Sequence, residues 1–380
     1  MPQMKQLKEL EKLEAAGPAA RYDFFIQWHL TERCNLRCRH CYQMKQAPAG
    51  VDLSLEEVRR VIAEISDTLE SWARNYQMDF SPSFNITGGE PFLRADLFDI
   101  LSEARTQGFD VYLLTNGTII NMQRARALAA AGVRGVQVSV EGPEEVHDSI
   151  RGRGSFSQAM WGVKNLLGAG LTVTLNATLS RLNAGRMPEM VALALAMGVQ
   201  RLGFSRLVPY GRGLGLVSEM LTARQVKGLY ETLLSLDIEG LQIVTGDPVA
   251  SQMSIKNHPD AGCIASGGCA AGISGFTILA DGTITPCRRL PLPLGNVRTD
   301  SIRRVWAASP VLEALREKSR YGGRCGDCRR WANCRGCRAI AYAYSMSRGK
   351  ADFLSEDPQC FIAQGEEPET AKFLPLLKHA

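Results

Sequence analysis

The chain lacks any run of about 18 apolar residues, the length a membrane-spanning helix needs. Its first residues, MPQMKQLKELEKLEAAG, are charged and amphipathic, so neither a signal peptide nor a membrane anchor is read there. No block repeats at a fixed period, which excludes solenoids and propellers. No basic, aromatic-interleaved stretch marks a nucleic-acid surface. The net charge is only +5, a balance that permits an acidic partner without demanding one. With 45% hydrophobic and 22% charged residues, disorder and fibrous classes are also excluded. The 380 residues suffice for two or three domains with substantial cores. What the chain does have is cysteine, 11 in all. With no membrane or export signal the expected location is cytoplasmic, where a reducing pool keeps thiols open. So many thiols there point to metal binding or redox chemistry rather than disulfides.

From Tyr22 to about Val244, strand-like apolar runs alternate with helical patterns, the signature of βα units on a parallel sheet. Six strands are read: FFIQWHL (24–30), SFNITG (83–88), DVYLLT (110–115), GVQVSV (135–140), LTVTLNA (171–177) and RLGFSRL (201–207). The first crossover helix opens on a capping box, Ser54 with Glu57, and lines Val58, Val61, Ile62, Ile65, Leu69 and Trp72 along one face. Six units are too few for a closed eightfold barrel. The expected architecture is an α/β partial (β/α)6 barrel, with functional residues at the carboxyl ends of the strands. Expected boundaries are an N-terminal helical extension (1–23), the barrel (24–245) and a cysteine-rich second domain with a C-terminal tail (246–380).

Cys34, Cys38 and Cys41, in RCNLRCRHCYQ, follow the first strand directly and so lie over the sheet's carboxyl edge. A zinc site is one reading, but zinc favours four ligands from paired knuckles and no fourth cysteine is near. Three thiolates on a four-iron cube leave one iron open for a small molecule. The second strand ends in Asn85-Ile-Thr-Gly-Gly-Glu-Pro. There Gly88 and Gly89 let backbone approach a ligand, and Glu90 can accept hydrogen bonds from an ammonium. Later strand tips offer Asn116, Ser139 with Glu141, Asn176 and Arg206.

Taken together, these motifs resemble the radical SAM superfamily, whose hallmark is three cysteines at this spacing with an aromatic residue before the last, here His40. The resemblance implies a [4Fe-4S] cluster on Cys34, Cys38 and Cys41, with its open iron chelated by S-adenosylmethionine (SAM). An electron from the cluster then splits a carbon-sulfur bond of SAM and releases a 5'-deoxyadenosyl radical that abstracts a hydrogen atom. His40, Gly88, Gly89, Glu90, Asn116, Ser139, Glu141, Asn176 and Arg206 are the implied contacts to SAM; aspartate often stands at the place of Glu141.

The C-terminal array, Cys269-x12-Gly282-x4-Cys287, then Cys325-x2-Cys328-x5-Cys334-x2-Cys337 and Cys360, resembles the SPASM extension. Two zinc knuckles are the alternative, but their pairs usually stand about 15 to 20 residues apart. The resemblance implies two auxiliary [4Fe-4S] clusters, one on Cys263, Cys269, Cys287 and Cys337 and the other on Cys325, Cys328, Cys334 and Cys360. One departure is visible: relatives commonly have three residues where Cys334 and Cys337 enclose two.

Many SPASM proteins oxidise or crosslink ribosomally made peptides, and some tailor tetrapyrroles. The first expectation is therefore oxidative modification of a peptide, with auxiliary clusters carrying electrons and an external low-potential donor. The alternatives are radical tailoring of a small molecule such as a haem precursor, and a non-catalytic electron carrier, against which the open first site argues. Only about 23 residues precede the first strand, so any leader-recognition module is expected as a separate protein, or the substrate binds unaided. Sulfatase-maturing relatives carry an acidic residue after the cysteine matching Cys287. Arg288 stands there instead, and a guanidinium cannot serve as that base.

Overall fold

The computed structural model describes residues 21–43, 52–253 and 268–362. The elements run β1 (Arg21–His29), α1 (Leu55–Tyr76), β2 (Asp79–Thr87), α2 (Leu97–Thr106), β3 (Asp110–Thr115), α3 (Met122–Ala130), β4 (Gly135–Ser139), α4 (Glu144–Arg151), α5 (Ser155–Gly168), β5 (Val173–Leu179), α6 (Met187–Met197), β6 (Arg201–Arg206), α7 (Ala223–Leu234) and β7 (Gln242–Val244). Beyond them come β8 (Gly275–Ile278), β9 (Thr283–Thr285), β10 (Gly295–Asn296), α8 (Ile302–Ala308), α9 (Pro310–Arg316), α10 (Arg324–Asp327) and α11 (Arg338–Met346). The N-terminal extension through Ala20 lies outside the described residues.

The strands form a single sheet in the order β10-β9-β8-β1-β2-β3-β4-β5-β6-β7. β1 to β7 are parallel neighbours in chain order, each reached by a crossover. Two features go beyond the sequence reading. The three-residue β7 adds a seventh parallel strand, and β8 pairs in parallel with the other edge of β1, from Phe25 opposite Gly275 to Trp28 opposite Ile278. The cysteine-rich segment thus extends the barrel sheet itself. Gly275 permits it, since a Cβ there would stand 2.0 Å from the Phe25 carbonyl oxygen.

Period-2 alternation along the strands sorts side chains into two environments. Phe24, Ile26 and Trp28 of β1, Val136 and Val138 of β4, and Leu175, Ala177 and Leu179 of β5 are buried in the hydrophobic core. Their alternates Gln137, Ser139, Asn176 and Thr178 line a cavity on the inner face. Covering the outer face is α1, whose Ser54 cap accepts from Glu57 N while Glu57 reaches back to Ser54 N at 2.7 Å. Its Val58, Val61, Ile62, Ile65 and Leu69 are buried, and Trp72 packs edge-on to Phe24. Trp306 of α8 meets Phe24 at 5.2 Å between ring centroids, fastening the C-terminal segment to β1. No helix among the described residues is long and apolar enough to cross a membrane.

Candidate active site and cysteine-lined cavities

The loop after β1 is sewn to the end of β2. Gly89 N donates to Thr31 O at 2.7 Å, and Glu90 N donates to Arg33 O at 2.8 Å. A Cβ on Gly88 would stand 2.4 Å from Thr31 O, and one on Gly89 2.1 Å from Arg33 O. The glycine pair therefore lets the cysteine loop lie against β2, a role that the expectation of ligand approach did not include. At the loop's other end, Gly213 N donates to Cys41 O at 3.1 Å.

So held, Cys34, Cys38 and Cys41 line one cavity together with His40, Gly88, Gly89, Asn116, Ser139, Asn176 and Arg206. Burial pushes the Cys34 thiol up to about 11, opposed by the Leu36 amide and reinforced by Glu90 and the two neighbouring cysteines. Burial raises Cys38 too, against the pull of Arg151. Clustered thiols in this state become thiolates only against a bound positive centre. Among the described residues, no three Cys, His, Asp or Glu side chains converge closely enough to hold a single metal ion.

Glu90 and Glu141, expected at the cofactor, stand behind the cavity wall and are not among the residues that line it. Glu90 is 0% exposed. It accepts from Thr115 Oγ1 at 2.8 Å and from Asn116 N at 2.9 Å, and burial lifts its carboxyl to about 7 despite these bonds. Its evident work is to hold Asn116, whose Nδ2 donates to Asn35 Oδ1 at 2.9 Å beside Cys34. Glu141 takes Arg151 Nη2 at 2.6 Å, His40 Nε2 at 3.4 Å and Thr178 N at 2.8 Å. Burial alone would raise it, but the charges of Arg151 and then His40 prevail and hold it well below the usual carboxylate range.

Arg151 was not singled out from the sequence, yet it lines the cavity with Nη1 3.8 Å from Cys38 Sγ. Arg206 departs from its expected role. It is 0% exposed, and its five N–H groups are taken by Asp247, Asp357 and Gln359: Nε and Nη2 on Asp247 at 2.7 and 2.9 Å, Nη1 and Nη2 on Asp357 at 2.9 and 2.7 Å, and Nη1 on Gln359 at 3.0 Å. No donor remains for a cofactor carboxylate. Arg206 instead ties the tip of β6 to the segment carrying Cys360, and Asp357 passes the tie on by accepting from Cys337 N at 2.8 Å.

Two further cavities collect the remaining described cysteines. One is lined by Cys269, Cys287 and Cys337, and the other, of about 450 Å³, by Cys325, Cys328, Cys334 and Cys360. Cys263 lies outside the described residues. The shortened spacing between Cys334 and Cys337 is built from two left-handed residues, Arg335 (φ 60°) and Gly336 (φ 59°). This reversal sends neighbouring cysteines to different cavities, and a side chain on Gly336 would collide with Asp357 Cβ at 2.8 Å. Arg335 steadies the turn by donating to Cys269 O through Nε and Nη2 at 3.1 and 2.8 Å. In the larger cavity, Gln252 Nε2 lies 3.4 Å from Cys334 Sγ and 3.6 Å from Cys360 Sγ.

Residues 28–194 match the family model of the radical SAM superfamily, and residues 269–338 match that of the SPASM iron-sulfur cluster-binding domain. Over 358 residues the chain is 30% identical to an AdoMet-dependent heme synthase of Methanosarcina barkeri, covering 90% of this chain and 97% of that one. The chain belongs to the radical SAM superfamily. This radical SAM chain is also 32% identical to a mycofactocin maturase of Mycobacterium ulcerans over 352 residues, covering 90% of this chain and 88% of the relative. The fold is that of Streptococcus suis SuiB bound to S-adenosylmethionine, at TM-score 0.68 and 16% identity, covering 94% of this chain and 81% of that one. Radical SAM and SPASM membership makes the protein an enzyme that uses iron-sulfur clusters and SAM, which sets aside the electron-carrier alternative.

Proposed function

We propose that the chain cleaves SAM reductively at Cys34, Cys38 and Cys41 and uses the radical to oxidise a ribosomally made peptide. The observation that carries the SAM cleavage is the sorting of thiols, three beside polar strand tips and the other described cysteines in two separate cavities, while the likeness to a mycofactocin maturase supports the peptide. The first three would hold a [4Fe-4S] cluster with an open iron. Cys263, Cys269, Cys287 and Cys337 would hold one auxiliary cluster, and Cys325, Cys328, Cys334 and Cys360 the other. When bound, the clusters and SAM supply the electron and the hydrogen-abstracting radical.

The chain's own residues position and shield. Asn116, Ser139 and Asn176 present polar groups along the cavity wall, with Asn116 fixed by the Glu90 carboxylate. Arg151 keeps a positive charge beside Cys38, and Glu141 aims it. His40 Nδ1 is buried without a hydrogen-bond partner among the described residues, so it is available to a bound group. An external low-potential donor completes the proposed system.

A second reading, tailoring of a tetrapyrrole, is favoured by one specific feature. Arg212, Arg288 and Arg289 line the cavity without an ion-pair partner among the described residues, which suits an acid-bearing small molecule. The test is anaerobic turnover of SAM by the reconstituted chain with candidate peptides and with porphyrin precursors, read by mass spectrometry. A product only from the peptide supports the first reading; a product only from the tetrapyrrole overturns it.

A further inference from the structure

Leu290 N donates to Cys287 O at 2.9 Å, closing a tight turn whose two central residues are Arg288 and Arg289. Both arginines line the first cysteine cavity and also the one formed by Cys269, Cys287 and Cys337, so the turn is a shared wall between them. Arg288 is steadied by Tyr42, the residue after Cys41, with its guanidinium carbon 5.8 Å from the ring centroid. Arg289 reaches Arg206 O through Nη1 at 3.5 Å, while its Nε is buried with no hydrogen-bond partner among the described residues. Arg212, exposed at the rim, lines the first cavity as well.

The charge inventory of that cavity is one-sided. Among the described residues, five arginines line it and no aspartate or glutamate does. Arg151 is balanced by Glu141, and Arg206 by Asp247 and Asp357. The other three have no carboxylate within 4.0 Å among the described residues. A guanidinium that is not fully hydrated gains most from an anion that accepts two parallel N–H groups.

We propose that Arg288, with Arg289 beside it and Arg212 at the rim, forms a carboxylate-binding subsite that holds the substrate between the first cavity and its neighbour. This rests on the radical SAM reading above and narrows it to substrates that bear a carboxylate. The chemistry is shared by an acidic or C-terminal carboxylate of a peptide and by a propionate of a porphyrin. A carboxylate on Arg288 would leave the rest of the substrate in a cavity that Ser205, Val208 and Asn176 also line.

The experiment uses the anaerobically reconstituted full chain with SAM. Binding is measured for two pairs of probes: a propionate-bearing porphyrin against its methyl ester, and a short glutamate-rich peptide against its glutamine counterpart. In at least one pair the acid is expected to bind about tenfold or more tightly than the neutral form. Arg288→Gln should bring the acid down to the neutral form's level, and Arg288→Lys should restore part of the difference. The pair that shows the difference identifies the source of the carboxylate. Equal binding of acid and neutral probe in both pairs, or equal losses for both in Arg288→Gln, overturns the subsite. Separately, wild-type chain that fails to release 5'-deoxyadenosine on reduction defeats the underlying radical SAM reading. Normal release with no preference for acids defeats the subsite alone.

Discussion

Arg206→Met removes every polar contact of a fully buried guanidinium while keeping most of its volume. The structure then leaves Asp247 and Asp357 buried with no cation between them. Breaking a buried ion pair by deleting one partner costs about 3–5 kcal/mol. A ceiling comes from protonation: forcing a proton onto a carboxyl of ordinary pKa about 4 at pH 7 costs about 4 kcal/mol, after which the repulsion is gone. The expected destabilisation at pH 7 is therefore about 4 kcal/mol.

The sign of the pH dependence follows. In the wild type, burial would raise Asp357, but Arg206 outweighs it and holds the carboxyl below its usual range. Its contribution is thus fully present above about pH 4 and lost only as pH falls through the lowered folded value. In the variant a carboxyl is raised, so stability improves as pH falls. The difference between the two proteins should shrink by about 1.4 kcal/mol per unit as pH drops from 7 toward 5. Anaerobic guanidinium unfolding, followed by tryptophan fluorescence and by iron release, measures both. A variant within about 1 kcal/mol of wild type at pH 7, or a gap that does not change with pH, would refute this account of the Asp-Arg-Asp tie.

The fully buried Glu90, lifted from 4.5 to about 7, should lower the stability of the SAM-free protein by about 3 kcal/mol as pH rises from 4.5 through 7. Glu90→Gln should flatten that slope, and an unchanged pH profile of unfolding would contradict the burial argument. Gly89→Ala places a Cβ against the Arg33 carbonyl and should displace the cysteine loop. Iron analysis should then find the first site depleted and the auxiliary sites filled; full occupancy would show that the loop tolerates the methyl. Gln252→Leu removes two N–H groups from sulfurs of the 325–360 cavity. An EPR-monitored redox titration should show one auxiliary cluster moving to a more negative potential, and no shift would assign those contacts to packing only.

Cysteine spacing was the most legible part of the sequence because a thiolate's chemistry does not depend on the surrounding fold. The capping box of Ser54 and Glu57 was legible for a related reason, since all of its contacts lie within four residues. The six longer strands show as apolar alternation, whereas β7 and β8 are too short to carry a period and are defined by the partner edges they join. What the sequence concealed were pairings across long separations. Arg206 meets Asp357 151 residues away, and Arg151 meets Cys38 113 residues away. Arginine at a strand tip reads equally well as a cofactor clamp or a structural tie; only the buried aspartates decide. Likewise Gly88 and Gly89 announce close approach, but Thr31 and Arg33 as the approaching groups emerge only once β1 lies beside β2.

The proposed separation of the thiols into three independent centres is tested most directly by iron analysis of Cys38→Ala beside the wild type, both reconstituted anaerobically and reduced with SAM present. The wild type should hold about twelve irons, four per cube, and release 5'-deoxyadenosine. The variant should hold about eight and release none. A variant that keeps all its iron or still cleaves SAM would contradict the assignment of Cys34, Cys38 and Cys41 to the reactive centre.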